Sequence, residues 1–150
     1  MARVVSLQLH EGHGKPMRAV AEAPVRVGGG IEGDSHVQRT KRAVTIVDRS
    51  THDAVGVQPG DLREQLTIEG LPALGSLAEG TLLRIGAITL RVNGTCDPCT
   101  HIGEMNGIAD ASEFQSMLEG RRGLVCSVVA ADGPVRVGDA VSVMEPAGTR

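Results

Sequence analysis

The chain has 150 residues, with 18 Asp and Glu against 15 Lys and Arg, a net charge of −3, one Phe and no Tyr or Trp. That length suits a single domain burying roughly 68–70% of its unfolded surface, and the mixed charge and 41% apolar content exclude a disordered chain. The lack of aromatics and the mild acidity argue against a base-stacking or phosphate-tracking nucleic-acid binder, and no apolar run approaches the ~20 residues of a membrane span.

The first residues, Met1 to Ser6, carry no long apolar leader, so a soluble, cytoplasmic protein is expected. Three cysteines do not describe a disulfide framework. In chain order, short runs rich in Val, Ile and Leu predict strands over Arg3–Leu9, Ala43–Val47, Leu66–Ile68, Thr81–Ile85, Ile88–Val92, Leu124–Val129 and Ala140–Val143. Gly86-Ala87 reads as the turn of a hairpin, and Leu124–Val129 is continuous enough to be buried on both faces.

Helical signal is sparse. A short helix is expected from Ser50 to Gly56, with His52 on its surface. A second, Asp110–Glu119, is expected from the capping box Ser112 to Gln115 and from the stripe of Ala111, Phe114, Met117 and Leu118. With 20 Gly and 7 Pro punctuating the strands, the expected fold is mainly β, a closed or nearly closed barrel with a few short helices. Pro24-Val25-Arg26-Val27-Gly28 recurs as Pro134-Val135-Arg136-Val137-Gly138, which reads as two similar strand-to-turn transitions.

Several patterns carry chemistry. Cys96-Asp97-Pro98-Cys99 leaves a strand, with His101 and Glu104 nearby. A thiolate there is a nucleophile and a soft metal ligand. The spacing alone leaves four readings open: a redox pair, part of a zinc site, one exposed thiolate that binds a metal or sulfur, or two ordinary loop cysteines. Gly28-Gly29-Gly30 through His36 is glycine-dense, and its backbone N–H groups could approach an anion. Arg39, Lys41 and Arg42 follow and could grip a phosphate. Taken alone, this stretch reads better as a surface loop beside a solvated basic patch. His10 and His13 read as solvent-exposed, since two ligands do not complete a metal site, and Cys126 as a core residue.

The ordered set of Gly14-Lys15-Pro16, Gly30-Ile31-Glu32-Gly33-Asp34-Ser35-His36, Arg42–Ile46, Pro59–Leu71, Gly80–Gly86, Pro98-Cys99 and Gly133–Asp139 resembles the MOSC domain, the family named for the C-terminal domain of molybdenum-cofactor sulfurase. The likeness spans roughly residues 3–144 of a single domain, 1–150. It implies a MOSC-type β-barrel and a molybdenum-cofactor (molybdopterin) or sulfur-handling role. The family's cysteine falls on Cys99, as catalytic residue and metal ligand, and Cys96 is an additional cysteine. Lys15, Arg39, Lys41 and Arg42 suit the cofactor phosphate, and Gly33 and Asp34 belong to the loop that shapes the pocket. Glu64 or His36 would orient the site or move protons, and Gln65 stands where the family has Asn. The activities implied are sulfur transfer or reduction of N-hydroxylated small molecules. The matching partners are a cysteine desulfurase or an electron-donor protein, with no nucleic acid and no membrane. The alternative is a non-catalytic β-barrel module that binds a protein partner.

Overall fold

A computed structural model describes residues 2–12, 14–71, 74–96 and 123–144. The strands are β1 (Arg3–Leu9), β2 (Arg18–Ala19), β3 (Glu22–Ala23), β4 (Val44–Asp48), β5 (Leu66–Glu69), β6 (Leu82–Ile85), β7 (Ile88–Cys96), β8 (Gly123–Ala131), β9 (Val135–Arg136) and β10 (Val141–Met144). One helix, α1 (Arg49–Val55), joins β4 to β5. The expected helix Asp110–Glu119, with Phe114, lies outside the described residues.

Eight strands form one sheet in the order β10-β6-β7-β8-β4-β5-β1-β2, and β3 and β9 form a separate ribbon. All pairs are antiparallel except β4–β5, which α1 connects as a β-α-β crossover. The expected hairpin is present: Ile85 pairs with Ile88 across Gly86, whose φ of 54° is the left-handed geometry such a tight turn needs. β8 is buried from Gly123 to Val128, as its continuous apolar run predicts, but Val129 at the end of that run is exposed.

The expectation is a closed or nearly closed barrel, and full closure is corrected: among the described residues no sheet closes into a barrel, and the eight-stranded ladder ends at β10 and β2. The reason lies in β1, whose free edge is divided between two short partners. Arg3 bridges Ala140, with Val4 N–H donating to the Asp139 carbonyl and Val141 N–H to that of Ala2. At the other end, Gln8 and Leu9 pair with β2. Neither contact grows into a ladder that would complete a cylinder.

The core is aliphatic. Leu7, Ile31, Ile46, Leu66, Ile68, Leu83, Ile85, Leu90 and Leu124 are fully or almost fully buried in one cluster. Of the repeated five-residue segments, the second contains β9, and the first follows directly on β3, the strand with which β9 pairs. Each ends on a left-handed glycine whose N–H donates into the large sheet, Gly28 to Val128 and Gly138 to Val4.

α1 has only seven residues, too few to be stable alone. Asp48 caps its start by accepting from Ser50 N–H, and left-handed Gly56 closes its end on the His52 carbonyl. Its inner face buries Thr51 and His52, so His52 is a core residue and not the surface residue expected. Cys126 is fully buried in β8, and burial pushes its thiol up to about 12. Cys126 should therefore resist alkylation at neutral pH in the native protein and react only on unfolding; peptide mass mapping across a urea series checks this.

Candidate functional site

The loop after β1 and the turn 31–36 are tied together by one carboxylate. Asp34 is 3% exposed. Its Oδ1 accepts from His36 N–H at 2.8 Å, an Asx turn, and its Oδ2 accepts from His10 N–H at 2.7 Å and from Gln65 Nε2 at 3.2 Å. Gln65 is itself buried, and its Oε1 accepts from Thr45 N–H at 2.7 Å. Gly33 precedes Asp34 with φ at 88°, and a Cβ there would come within 3.2 Å of Leu9 Cδ1. Glycine thus lets the turn close on the end of β1.

This arrangement brings His10 against His36, with ring centroids 4.3 Å apart and nearly parallel planes. His10 Nδ1 meets the Ser35 hydroxyl, and Ser35 N–H donates to the His10 carbonyl. The His36 pKa lies below the ordinary 6.5, because burial disfavours the charged ring and Arg39, His10 and Arg63 repel it, against the attraction of Asp34.

A pocket of about 400 Å³ has a wall that includes Gln8, Lys15, Met17, Gly60, Asp61 and Arg63. Arg63 joins the two features, since it lines the pocket and also acts on His36. Arg63 has a left-handed φ of 64°, and its guanidinium donates to the carbonyls of Lys15 and Gly12. Among the described residues its charge meets backbone oxygens and no carboxylate.

Arg39, Lys41 and Arg42 are exposed. None of the three, nor Lys15, makes an ion pair among the described residues. The Lys41 carbonyl accepts from Asn93 Nδ2, which fixes the backbone just before β4. Glu64 is 0% exposed, and its carboxylate is taken up by His52, Thr67 and the Gly60 N–H. The structure therefore brings together Asp34, His36 and Gln65, with the charge of Arg39 opposing protonation of His36. It places Lys15 on the pocket wall and Glu64 beneath it.

The glycine-dense stretch does something other than cradle an anion. The N–H groups of Gly28, Gly29 and Gly30 all donate to main-chain carbonyls, of Val128, Arg26 and Val37. A Cβ on Gly29 would sit 2.2 Å from the Val37 carbonyl oxygen, so close packing is what requires glycine there. Cys96 ends β7 opposite Gly123, and Cys99, His101 and Glu104 lie outside the described residues. Among the described residues, no group of three or more His, Cys, Asp or Glu is placed to hold a metal ion.

His10 and Arg63 were not legible as site residues. Nothing local in His10-Glu11-Gly12-His13 pairs residue 10 with residues 34–36. The only signal for Arg63 was its place in Pro59–Leu71, one of the stretches that carry the resemblance.

A MOSC domain model matches residues 24–142, and the chain belongs to the MOSC domain family. That family is associated with molybdenum-cofactor binding and sulfur-related reactions. Among solved structures, the chain is similar to the YuaD protein from Bacillus subtilis, with 24% identity, a TM-score of 0.81 and coverage of 95% of this chain and 96% of that one. It is similar to YiiM from Geobacillus stearothermophilus, with 16% identity, a TM-score of 0.71 and coverage of 99% and 78%. YiiM from Escherichia coli shares 20% identity with a TM-score of 0.70 over 96% of this chain and 70% of that one. These likenesses show the fold. No curated protein matches. Among the described residues, no helix is long and apolar enough to cross a membrane.

Two outcomes test the site. Asp34→Asn replaces one acceptor oxygen with a donor that faces other donors, and should destabilise the fold by about 1–3 kcal/mol in urea melts. For His36, a folded pKa below 6.5 means that the unfolded chain takes up its proton first as pH falls. The His36 contribution to stability is therefore full above 6.5 and declines as pH falls from there toward the lowered folded value. NMR titration of the His36 ring should give a midpoint below 6.5, and Arg39→Gln should raise it.

Proposed function

We propose that this MOSC protein binds the molybdenum cofactor at the 400 Å³ pocket and the adjoining His36–Arg39 mouth, with Cys99 as the thiolate ligand of the metal. One observation carries the reading. Lys15 and Arg63 stand on the pocket wall, the charges of Arg63 and Arg39 both bear on His36, and none of these cations pairs with a carboxylate among the described residues. Unpaired cations around a cavity of ligand size suit a phosphate-bearing small molecule.

The residues present fit the group in their donor chemistry. Guanidinium and ammonium donors suit its phosphate, and a soft cysteine thiolate suits its metal. Lys15, Arg39 and Arg63 would hold the phosphate, with Lys41 and Arg42 adding to the positive field. Gly33 and Asp34 fix the turn that presents His36, and Gln65 orients Asp34. His36, kept less basic by burial and then by its cationic neighbours, is suited to accept or return a proton near neutral pH. Glu64 acts from beneath the pocket by holding its floor.

When bound, the cofactor supplies two-electron or sulfur chemistry at molybdenum. The activity fitting this is sulfur transfer, or reduction of an N-hydroxylated small molecule to the parent base with release of water. The first needs a cysteine desulfurase as sulfur source, and the second an electron-donor protein.

The test is molybdenum analysis of protein purified from a cofactor-competent host. Bound molybdenum is expected in the wild type, lost in Cys99→Ser and mostly kept in Cys96→Ser. Equal loss in both variants would replace the single thiolate with a paired-thiol site.

A further inference from the structure

Beneath the pocket lies a buried polar pair with no part in ligand contact. His52 on α1 and Glu64 before β5 are both fully buried. The His52 Nε2 meets Glu64 Oε2, and the same oxygen accepts from the Thr67 hydroxyl at 2.9 Å. Glu64 Oε1 accepts from Gly60 N–H at 3.1 Å. A carboxylate out of water persists only with such a set of donors. His52 Nδ1 has no hydrogen-bond partner among the described residues, so the ring is committed to Glu64 through one nitrogen alone. With no exposed surface, neither side chain reaches a substrate.

We propose that His52 is a positioning residue for the pocket: acting through Glu64, it sets the Gly60 amide and so the turn that carries Arg63 into the pocket wall. This deepens the reading above, because the wall it shapes is the one assigned there to the cofactor.

The linkage can be followed bond by bond. Gly60 has a φ of 94°, and a Cβ there would meet Gln8 Cγ at 3.3 Å, so the turn is pressed against β1. From Gly60 the chain winds tightly. Asp61 N–H donates to the Gln58 carbonyl, Gln58 N–H donates to Asp61 Oδ2, and Arg63 N–H donates to the Gly60 carbonyl. Arg63 then takes the left-handed conformation, which an L side chain holds only when its surroundings over-determine it. One end of that constraint is the Gly60 amide on Glu64. The other is the grip of the guanidinium on the carbonyls of Lys15, at 2.5 Å, and Gly12, at 3.3 Å. A single imidazole on α1 therefore fixes both pocket segments, the 59–63 turn and the Lys15 loop.

The experiment compares His52→Leu, which removes the donor, with His52→Gln, whose amide N–H can still donate to Glu64. Leu83→Ala, a core truncation in β6 outside the pocket wall, serves as control for lost stability alone. The readouts are the Gly60 amide and Arg63 Nε–H resonances, and the affinity for inorganic phosphate followed in the same spectra. His52→Leu should move both resonances and weaken phosphate binding about tenfold, the scale typical of residues that orient a ligand-binding group. His52→Gln should restore most of the affinity, and Leu83→Ala should lower Tm without moving either resonance. Resonances unmoved in His52→Leu, or moved equally by Leu83→Ala, would overturn the proposal. Should His52→Leu fail to fold, Thr67→Val removes another donor to the same carboxylate, and an unmoved Gly60 amide there overturns it equally. Wild-type protein that binds no phosphate would count against the pocket's assignment, while the resonances still decide the coupling.

Discussion

Two consecutive buried polar side chains, Glu64 and Gln65, hold the two halves of the site in place. Each is almost or completely removed from water, yet each has its polar atoms met by donors or acceptors, from neighbouring segments for Glu64 and from distant ones for Gln65. Glu64 gathers α1, β5 and the Gly60 turn. Gln65 gathers the start of β4 and Asp34, and through Asp34 the ends of the His10 and His36 loops. Unmade hydrogen bonds at such depth cost far more than made ones gain. The loops are therefore held in one arrangement by the penalty of every other. The aliphatic core supplies the drive to fold; these two residues decide where the surface loops sit on it.

The strands were legible because their physics is local. Runs of Val, Ile and Leu bounded by Gly and Pro mark β1 and β4 to β8, and the observed ends fall within a few residues of those expected. The two-residue strands β2, β3 and β9 had no such signature, since two residues cannot establish an alternation. They exist because neighbouring backbone must find partners. The open sheet was beyond sequence for a related reason. Whether a sheet closes depends on how the last strand edge is shared, and no residue type in β1 announces that its edge serves both Ala140 and β2.

The site divides in the same way. Gly33-Asp34 with His36 was visible as a motif, because an Asx turn preceded by glycine is a local device. The misplacement of His52 shows the limit. Arg49-Ser50-Thr51-His52-Asp53 is polar throughout and reads as a solvated face, and its burial follows from a carboxylate twelve residues further on. The glycine run shows another kind of ambiguity. Positive φ, close packing and anion binding all call for glycine. Here Gly28 answers to the first and Gly29 to the second, with the amides of Gly28, Gly29 and Gly30 already bonded within the chain.

The composition bears on how such a pocket recognises a ligand. The chain has one Phe and no Tyr or Trp, so the wide aromatic platforms on which proteins often stack heterocycles are missing. The flat groups that remain at the described site are imidazoles and guanidiniums, namely His10 stacked on His36, with Arg39 and Arg63 acting on the latter. A guanidinium presents a plane for stacking and a fork for phosphate in the same side chain, which an ammonium cannot do. Arg63 can serve in either way only if its backbone is held in the left-handed conformation that aims it, and that conformation is unfavourable without support. Recognition by few, multipurpose cations thus demands rigid loops beneath them, and the buried hydrogen bonds of Glu64 and Gln65 supply that rigidity.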